Sequence, residues 1–591
     1  MNAELLLTHY HRIADAPDAV AQLRQTILNL AVRGKLVPQD PSDEPADELL
    51  KRIAEERNLL VKQREIRFEK PLIPAKTTEF PFEIPQHWVW SKIGNVVLFT
   101  QYGTSQKSNS SEDGVPILTM GNIQGGRVVF RNEKRIPEKS DDLPALYLQK
   151  FDILYNRTNS AELVGKTGIY DHDYTATFAS YLIRLRPSQK WTEPYFINLA
   201  MNAPEFRETQ IVPLIKKQTG QANVNGTALK NMLVPLPPLA EQHRIVAKVD
   251  ELMALCDQLE AARVKREAKR DRLSAASLAR LNAPDPDATI FADHARFALN
   301  ALPALTTRPD QIKQLRQTIL NLAVRGKLVP QDPSDEPADE LLKRIAEERN
   351  LLVKQREIRF EKPLIPAKTT EFPFEIPQHW VWSKIGNVVL FTQYGTSQKS
   401  NSSEDGVPIL TMGNIQGGRV VFRNEKRIPE KSDDLPALYL QKFDILYNRT
   451  NSAELVGKTG IYDHDYTATF ASYLIRLRPS QKWTEPYFIN LAMNAPEFRE
   501  TQIVPLIKKQ TGQANVNGTA LKNMLVPLPP LAEQYRIVAK VDELMALCDR
   551  LETSLTTAAD TRCNLLNALL AEALAHERYD RLALEQAEAV A

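Results

Sequence analysis

PLPPLAEQHRIVAKVDELMALCDQLE, Pro235–Glu260, is where the chain changes character. Pro235, Pro237 and Pro238 end what precedes them, because proline lacks the N–H that a helix or a sheet ladder needs. From Glu241 the apolar residues Ile245, Val249, Leu252, Cys256 and Leu259 recur at alternating steps of 4 and 3. That is the heptad spacing of a helix packing along another helix. The stretch returns as PLPPLAEQYRIVAKVDELMALCDRLE, Pro527–Glu552, with His243 replaced by Tyr535 and Gln258 by Arg550. Outward from it, the whole of Gln22–Glu260 is rewritten as Gln314–Glu552 with no further change, at a constant offset of 292 positions. This far exceeds solenoid periods of roughly 20–50 residues, so each copy is a domain with its own core. Two identical sites suit a ligand that is itself repeated in space.

Past Glu260 the first long helix can run on to about Leu281, roughly 40 residues or about 60 Å at 1.5 Å per residue. Asn282–Thr307, with Pro284 and Pro286, reads as a linker, and the second copy closes with a long Ala/Leu helix, about Leu551–Ala589. Upstream, Val20, Leu23, Ile27 and Leu30 predict a helix over Pro17–Val32, with Gly34 as its exit. A second helix is expected from Ala46 to about Phe68, on the stripe Leu49, Leu50, Ile53 and Leu60. Its charged face (Lys51, Arg52, Glu55, Glu56, Arg57) reads as solvated. Pro71, Pro74, Pro81 and Pro85 mark a boundary. From Trp88 to Pro235 β-like runs alternate with Gly, Asn and Ser loops: Val96–Phe99, Pro116–Thr119, Val128–Phe130, Ile153–Tyr155 and Ser180–Leu185. Helices are expected over Pro194–Asn202 and Thr227–Asn231.

The expected fold class is α+β: two mixed target-binding domains separated by long antiparallel, coiled-coil-like helices. The middle of the chain reads long helix, linker, short helix pair; the two termini are the same set cut open. The halves are thus arranged as if circular, about a pseudo-two-fold. The expected divisions are a helical region 1–70, a first α+β domain 71–238, a central helix and linker 239–307, a second short-helix region 308–362, a second α+β domain 363–530 and a terminal helix 531–591.

A hydrophobic share of 43% and a charged share of 25% are those of a soluble globular protein. No apolar run reaches the roughly 18 residues of a membrane span, and Met1–Tyr10 has no signal-peptide pattern. Cys256, Cys548 and Cys563 lie in helical patterns without metal spacing and read as core residues of a reducing, cytoplasmic compartment. Net charge is only +2, but Pro85–Pro235 carries 17 Lys and Arg against 13 Asp and Glu.

Catalytic motifs are missing. Gly165-Lys166-Thr167 resembles the end of a P-loop, but Ser160 stands where the loop needs its first glycine. Asp171-His172-Asp173 reads as a solvated loop rather than a metal site. No hydrolase, zinc-protease, dinucleotide or adenine-methyltransferase motif occurs. Three polar loops stand out instead. Gln101–Ser111 offers Tyr102, Gln106 and Lys107; Asn156–Lys166 offers Arg157 and Asn159; Lys216–Asn225 offers Lys216, Lys217, Gln221 and Asn223. Their copies are Tyr394, Gln398, Lys399, Arg449, Asn451, Lys508, Lys509, Gln513 and Asn515. Arg, Lys, Asn and Gln are the side chains that read base edges and reach phosphates. Composition alone is equally that of ordinary hydrophilic loops.

HWVWSKIG (His87–Gly94), GVPILTMGNIQGG (Gly114–Gly126), FDILYNRTNSAELVGKTG (Phe151–Gly168), KKQTGQANVNGTALKN (Lys216–Asn231) and the PLPPLAEQ stretch, each occurring twice and in order, resemble a type I restriction-modification specificity subunit. LRQTILNLAVRGKLVPQDP (Leu23–Pro41 and Leu315–Pro333) is similar to that family's helical region. The resemblance implies a non-catalytic DNA-recognition subunit, each α+β unit reading half of a bipartite double-stranded DNA target. It implies two methyltransferase subunits docked on the helices, and separate motor-nuclease subunits. S-adenosylmethionine, ATP and Mg would belong to those partners, and no membrane is involved. Family members normally carry two different recognition domains; here they are virtually identical, so the expected target is an interrupted palindrome. The alternative is a stand-alone DNA-binding regulator with two sites, although no helix-turn-helix or zinc-finger pattern supports it.

Overall fold

In a computed structural model, residues 15–109, 113–215, 222–283, 288–401, 405–507 and 514–575 are described. They form two compact units. One comprises 15–265 with 559–575, the other 266–558. Each unit holds the root of one long helix and the tail of the other.

In the first copy, α1 (Ala19–Val32) and α2 (Ala46–Lys62) precede thirteen short strands. These are β1 (Val89–Lys92), β2 (Val97–Tyr102), β3 (Val115–Leu118), β4 (Ile123–Gln124), β5 (Arg127–Val128), β6 (Lys134–Ile136) and β7 (Ile153–Asn156). There follow β8 (Thr158–Asn159), β9 (Thr167–Ile169), β10 (Thr177–Phe178), β11 (Leu182–Pro187), β12 (Ala222–Asn223) and β13 (Leu233–Leu236). The main sheet has the order β2-β11-β7-β9-β5-β4; β10-β3-β6, β12-β8 and β1-β13 form smaller sheets. The second copy repeats all of this 292 residues on. α3 (Pro194–Asn202) packs on the sheet through Phe196, Ile197 and Ala200, with Pro194 in its first turn and the Glu193 carboxylate accepting from the Tyr195 N–H. The first long helix, α4, spans Leu239–Asn282 and its counterpart Leu531–Ala575.

α4 is rooted in the domain by buried polar groups. The Trp88 indole N–H donates to the Glu241 carboxylate at 2.8 Å, and the Gln39 amide donates to its other oxygen at 2.6 Å. Gln242 accepts from the Glu193 N–H at 2.9 Å and donates to the Pro237 carbonyl at 2.9 Å. The Pro-Pro-Leu-Ala-Glu-Gln run is thus a joint in which every polar side chain is used. Ile245, Val249 and Cys256 are buried behind it.

At their far ends the long helices serve the other unit. Leu566, Leu569 and Leu570 pack with Ala16 and Ala19 beside α1. In the second unit Arg308 pairs with Glu267 and Asp271 of α4, and Asn282 donates to Thr318 Oγ1 at 3.3 Å.

Several expectations need correction. α2 stops at Lys62, not Phe68: Arg64 takes a positive φ of 61°, and Phe68 beyond it is exposed, so no burial repays continuing the helix. The charged face of α2 is not merely solvated. Arg57 donates to the carbonyls of Gly94, Asn95 and Val97, Glu56 accepts from Ser188, and Arg52 stacks 4.8 Å over Trp191. The linker contains a helix, Ala288–Leu305, with Pro303 in its last turn. The heptad stripe is not buried throughout: Leu259 is exposed. Cys563 is half-buried rather than core. The Val128–Phe130 run is a strand only over Arg127–Val128. The last helix is described to Ala575, so the stretch expected to reach Ala589 lies outside the described residues.

Candidate nucleic-acid interface

The described parts of the three polar loops, far apart in sequence, meet at one end of the sheet. β2 delivers Tyr102 there, and its hydroxyl accepts from the Gly226 N–H at 2.6 Å, joining the first loop to the third. A side chain at Gly226 would crowd this contact, a Cβ lying 2.9 Å from that hydroxyl. The second loop joins the third through the β8–β12 ladder, with Asn159 opposite Ala222 and Thr158 opposite Asn223. Thr158 Oγ1 donates to Asn223 Oδ1 at 3.0 Å, and the Val224 N–H donates to the Arg157 carbonyl at 2.9 Å. The first and second loops close on each other where the Arg157 guanidinium lies 5.1 Å over the Tyr102 ring and donates to the Ser180 carbonyl.

Burial beneath the cluster fixes its shape. Arg184, buried in β11, donates to Gln101 Oε1 and to the Tyr147 carbonyl at 2.7 Å, so the residue before Tyr102 is held from below. Burial pushes the Arg184 guanidinium down to about 10, with nearby Asp152 opposing. Gly103 has no room for a side chain: a Cβ would stand 2.2 Å from the Phe178 carbonyl and 2.4 Å from that of Ala179. The backbone at Gly103 therefore lies directly against that of Phe178 and Ala179, and Thr104 continues as a parallel bridge to Ala179.

Of the residues read from the sequence, Tyr102, Arg157, Asn159 and Asn223 come together, with Tyr102 and Asn223 exposed and Arg157 and Asn159 half-buried. Asn159 is partly engaged, its amide directed at Met120 Sδ at 3.1 Å and its Oδ1 accepting from the Ser160 N–H at 2.8 Å. Gln106 and Lys107 are exposed further along the first loop, Gln106 accepting from the Ser140 hydroxyl. Lys216, Lys217 and Gln221, with Lys508, Lys509 and Gln513, lie outside the described residues. The second copy brings Tyr394, Arg449, Asn451 and Asn515 together in the same way: Tyr394 accepts from Gly518 at 2.6 Å, and Arg449 lies 5.1 Å over its ring, though its guanidinium donates to the Val516 carbonyl. Gln398 and Lys399 repeat the placement of Gln106 and Lys107.

Sequence reasoning missed Met120, Thr158, Ser180 and Gly226. The signal was partial: Met120 and Gly226 sit inside the quoted GVPILTMGNIQGG and KKQTGQANVNGTALKN runs. His172 is no metal ligand in this arrangement. Its Nε2 faces the Val128 carbonyl at 3.0 Å and its ring packs on Phe130 at 5.0 Å. Among the described residues no cluster of metal-capable side chains occurs, and no helix is long and apolar enough to cross a membrane.

Of the two substitutions between the copies, one alters a contact. His243 Nδ1 lies 2.8 Å from a Glu193 carboxylate oxygen; Tyr535 stands at that position in the second copy, where burial pushes the Glu485 carboxyl up. Gln258 and Arg550 are both exposed, and nothing in the structure explains that substitution. Neither change touches the loop clusters.

A family model described as the type I restriction modification DNA specificity domain matches twice, at residues 85–270 and 377–559. The chain is 30% identical to the type I restriction enzyme EcoEI specificity subunit of Escherichia coli, over 94% of each chain. It is 31% identical to the EcoAI specificity subunit of Escherichia coli, over 93% of each. The crystal structure of a subunit from Thermoanaerobacter tengcongensis is 19% identical, with a TM-score of 0.42, over 84% of this chain and 99% of that one. With the family's domain present in both copies and its subunits matched along nearly the whole length, the chain belongs to the type I restriction-modification DNA specificity subunits.

Proposed function

We propose that each α+β domain reads one half of a bipartite double-stranded DNA target, and that the target is an interrupted palindrome. The observation that carries this reading is that the two loop clusters are the same residue for residue, and that both join Tyr102 or Tyr394 to a glycine N–H under a stacked arginine. Two equal readers recognise the same half-site, and a two-fold arrangement presents it in inverted orientation on opposite strands. Arg157, Asn159, Asn223 and Gln106 supply the amide and guanidinium groups suited to base edges; Lys107 supplies a phosphate contact. The cradle made by Tyr102, Gly226 and the β8–β12 ladder holds Arg157, Asn159 and Asn223 in fixed relation, which lowers the ordering cost of binding.

In this reading the chain does no chemistry of its own and works in the cytoplasm. Two methyltransferase subunits dock on the helices and flip and methylate adenines with S-adenosylmethionine. Motor-nuclease subunits use ATP and Mg to cut unmodified DNA. The long helices act as the spacer between half-sites.

The reading is tested by titrating target duplex with the chain alone and with its methyltransferase. Specific, salt-dependent binding that requires the assembled complex supports it. Equally tight, specific binding by the isolated chain would favour a stand-alone regulator.

A further inference from the structure

Between α2 and β1 runs a segment outside helix and strand, QREIRFEKPLIPAK, Gln63–Lys76, which turns at Arg64 before crossing the domain. Two clamps hold it on the domain. Leu72 and Asn95 exchange hydrogen bonds, the Leu72 N–H donating to Asn95 Oδ1 at 3.3 Å and the Asn95 amide donating back to the Leu72 carbonyl at 3.2 Å. Glu69 accepts from the Lys230 ammonium at 2.6 and 2.7 Å. Lys230 belongs to the short helix Gly226–Asn231, whose first residue is the one that donates to Tyr102. Six residues at 1.5 Å each make about 9 Å, so this strap is tied to the loop cluster by a rigid link roughly three base-pair steps long.

The strap and its approach carry Lys62, Arg64, Arg67 and Lys70, all exposed. Among the described residues none of the four is in an ion pair, whereas just upstream Lys51 pairs with Glu48 and Arg52 with Glu44. Glu65 is the one carboxylate among them without a cation, since Glu69 is engaged. A charge run is ordinarily a solvated face. This one is pinned at two points and leaves its cations unspent. It recurs as Lys354, Arg356, Arg359 and Lys362, with Glu361 again held by Lys522 at 2.6 Å.

We propose that the strap is a second DNA-contacting element, gripping phosphates outside each half-site without reading base identity. This rests on the DNA-reading assignment above. Phosphate contacts of this kind add affinity and salt dependence but no sequence information. Phe68 and Ile73, 69% and 80% exposed on the same strap, are single apolar residues of an ordinary surface; were the strap a protein-docking surface, they would be its anchors.

The test uses the full chain assembled with its methyltransferase, carrying Arg67→Ala and Lys70→Ala together with Arg359→Ala and Lys362→Ala. Binding is measured across a salt series to a duplex bearing the motif found by methylation mapping, and to the same duplex scrambled. The expected result is an affinity loss of about tenfold or more, equal on both duplexes, with the salt slope shallower by about one per contact removed. The methylated motif should not change, and Arg67→Lys with Lys70→Arg should restore binding. Unchanged affinity and slope, or a loss confined to the motif duplex, would overturn the proposal. So would a loss of methyltransferase co-purification with DNA contacts intact. If the unsubstituted complex failed to prefer the motif duplex, the DNA-reading assignment itself would fall, whatever the strap does.

Discussion

The ammonium of Lys35 donates to the carbonyl oxygen of Leu574 at 2.8 Å across 539 residues of sequence. In the other unit Lys327, the same residue of the repeat, donates to the Ala283 carbonyl at 2.9 Å. Lys327 reaches the end of the long helix Leu239–Asn282, where carbonyls lack intrahelical partners and the helix dipole favours a cation, and Lys35 makes the equivalent contact in the last described turn of Leu531–Ala575. The contact gives the tails of the long helices a structural task.

Removing residues after Ala558 takes Leu566, Leu569 and Leu570 away from α1, each burial contributing on the order of 1.5–3 kcal/mol. Hydrogen exchange should accelerate in Ala19–Val32 and stay unchanged in its counterpart Pro309–Val324. Equal exchange in both helices would show that the tail does not support the first unit.

Tyr102→Phe with Tyr394→Phe removes the acceptor of the Gly226 and Gly518 N–H groups while keeping the stacked arginines. Each site should lose about 1 kcal/mol of stability, with target affinity falling because the first and third loops are uncoupled. Thermal unfolding and duplex titration check both. Full retention of affinity would mean that the loop junction does not shape the interface.

Glu241 and Glu533 have carboxyls raised above 4.5, first by burial, with hydrogen bonds from Trp88 and Gln39, or Trp380 and Gln331, opposing. A raised folded pKa favours the neutral acid, so this contribution to stability is complete below 4.5 and lost as pH rises through the higher folded value. The stability of the native chain relative to the Glu241→Gln, Glu533→Gln variant should therefore decline as pH rises through that window. A relative stability that rises instead would contradict burial as the dominant cause.

Breaking the sequence identity on one side should break the symmetry of the target. Asn159→Ala alone should relax one half-site, costing about 1–3 kcal/mol at the affected base pair, and leave the half read around Asn451 intact. A map of methylated sites checks this. A change in both halves would mean that the domains are not independent readers.

The elements written locally were legible. The helix Pro194–Asn202 was placed to the residue, with proline at its start, and the 4, 3, 4, 3 steps located the long helix, Leu239–Asn282. The loop residues could be named because polar side chains between β-like runs stand out. Their convergence could not, because the Tyr102–Gly226 contact joins residues 124 apart and β8–β12 is a ladder of only two residues. The buried uses of Arg57, Glu241 and Arg184 were equally hidden. A charged residue in a polar pattern looks solvated until its partner carbonyls, supplied by distant strands, are in place.

The central claim is that two identical domains read one half-site twice. Co-expressing the chain with its methyltransferase and mapping adenine methylation across a genome by long-read sequencing tests it most directly. The account requires a single interrupted palindrome methylated on both strands. An asymmetric bipartite motif would contradict it.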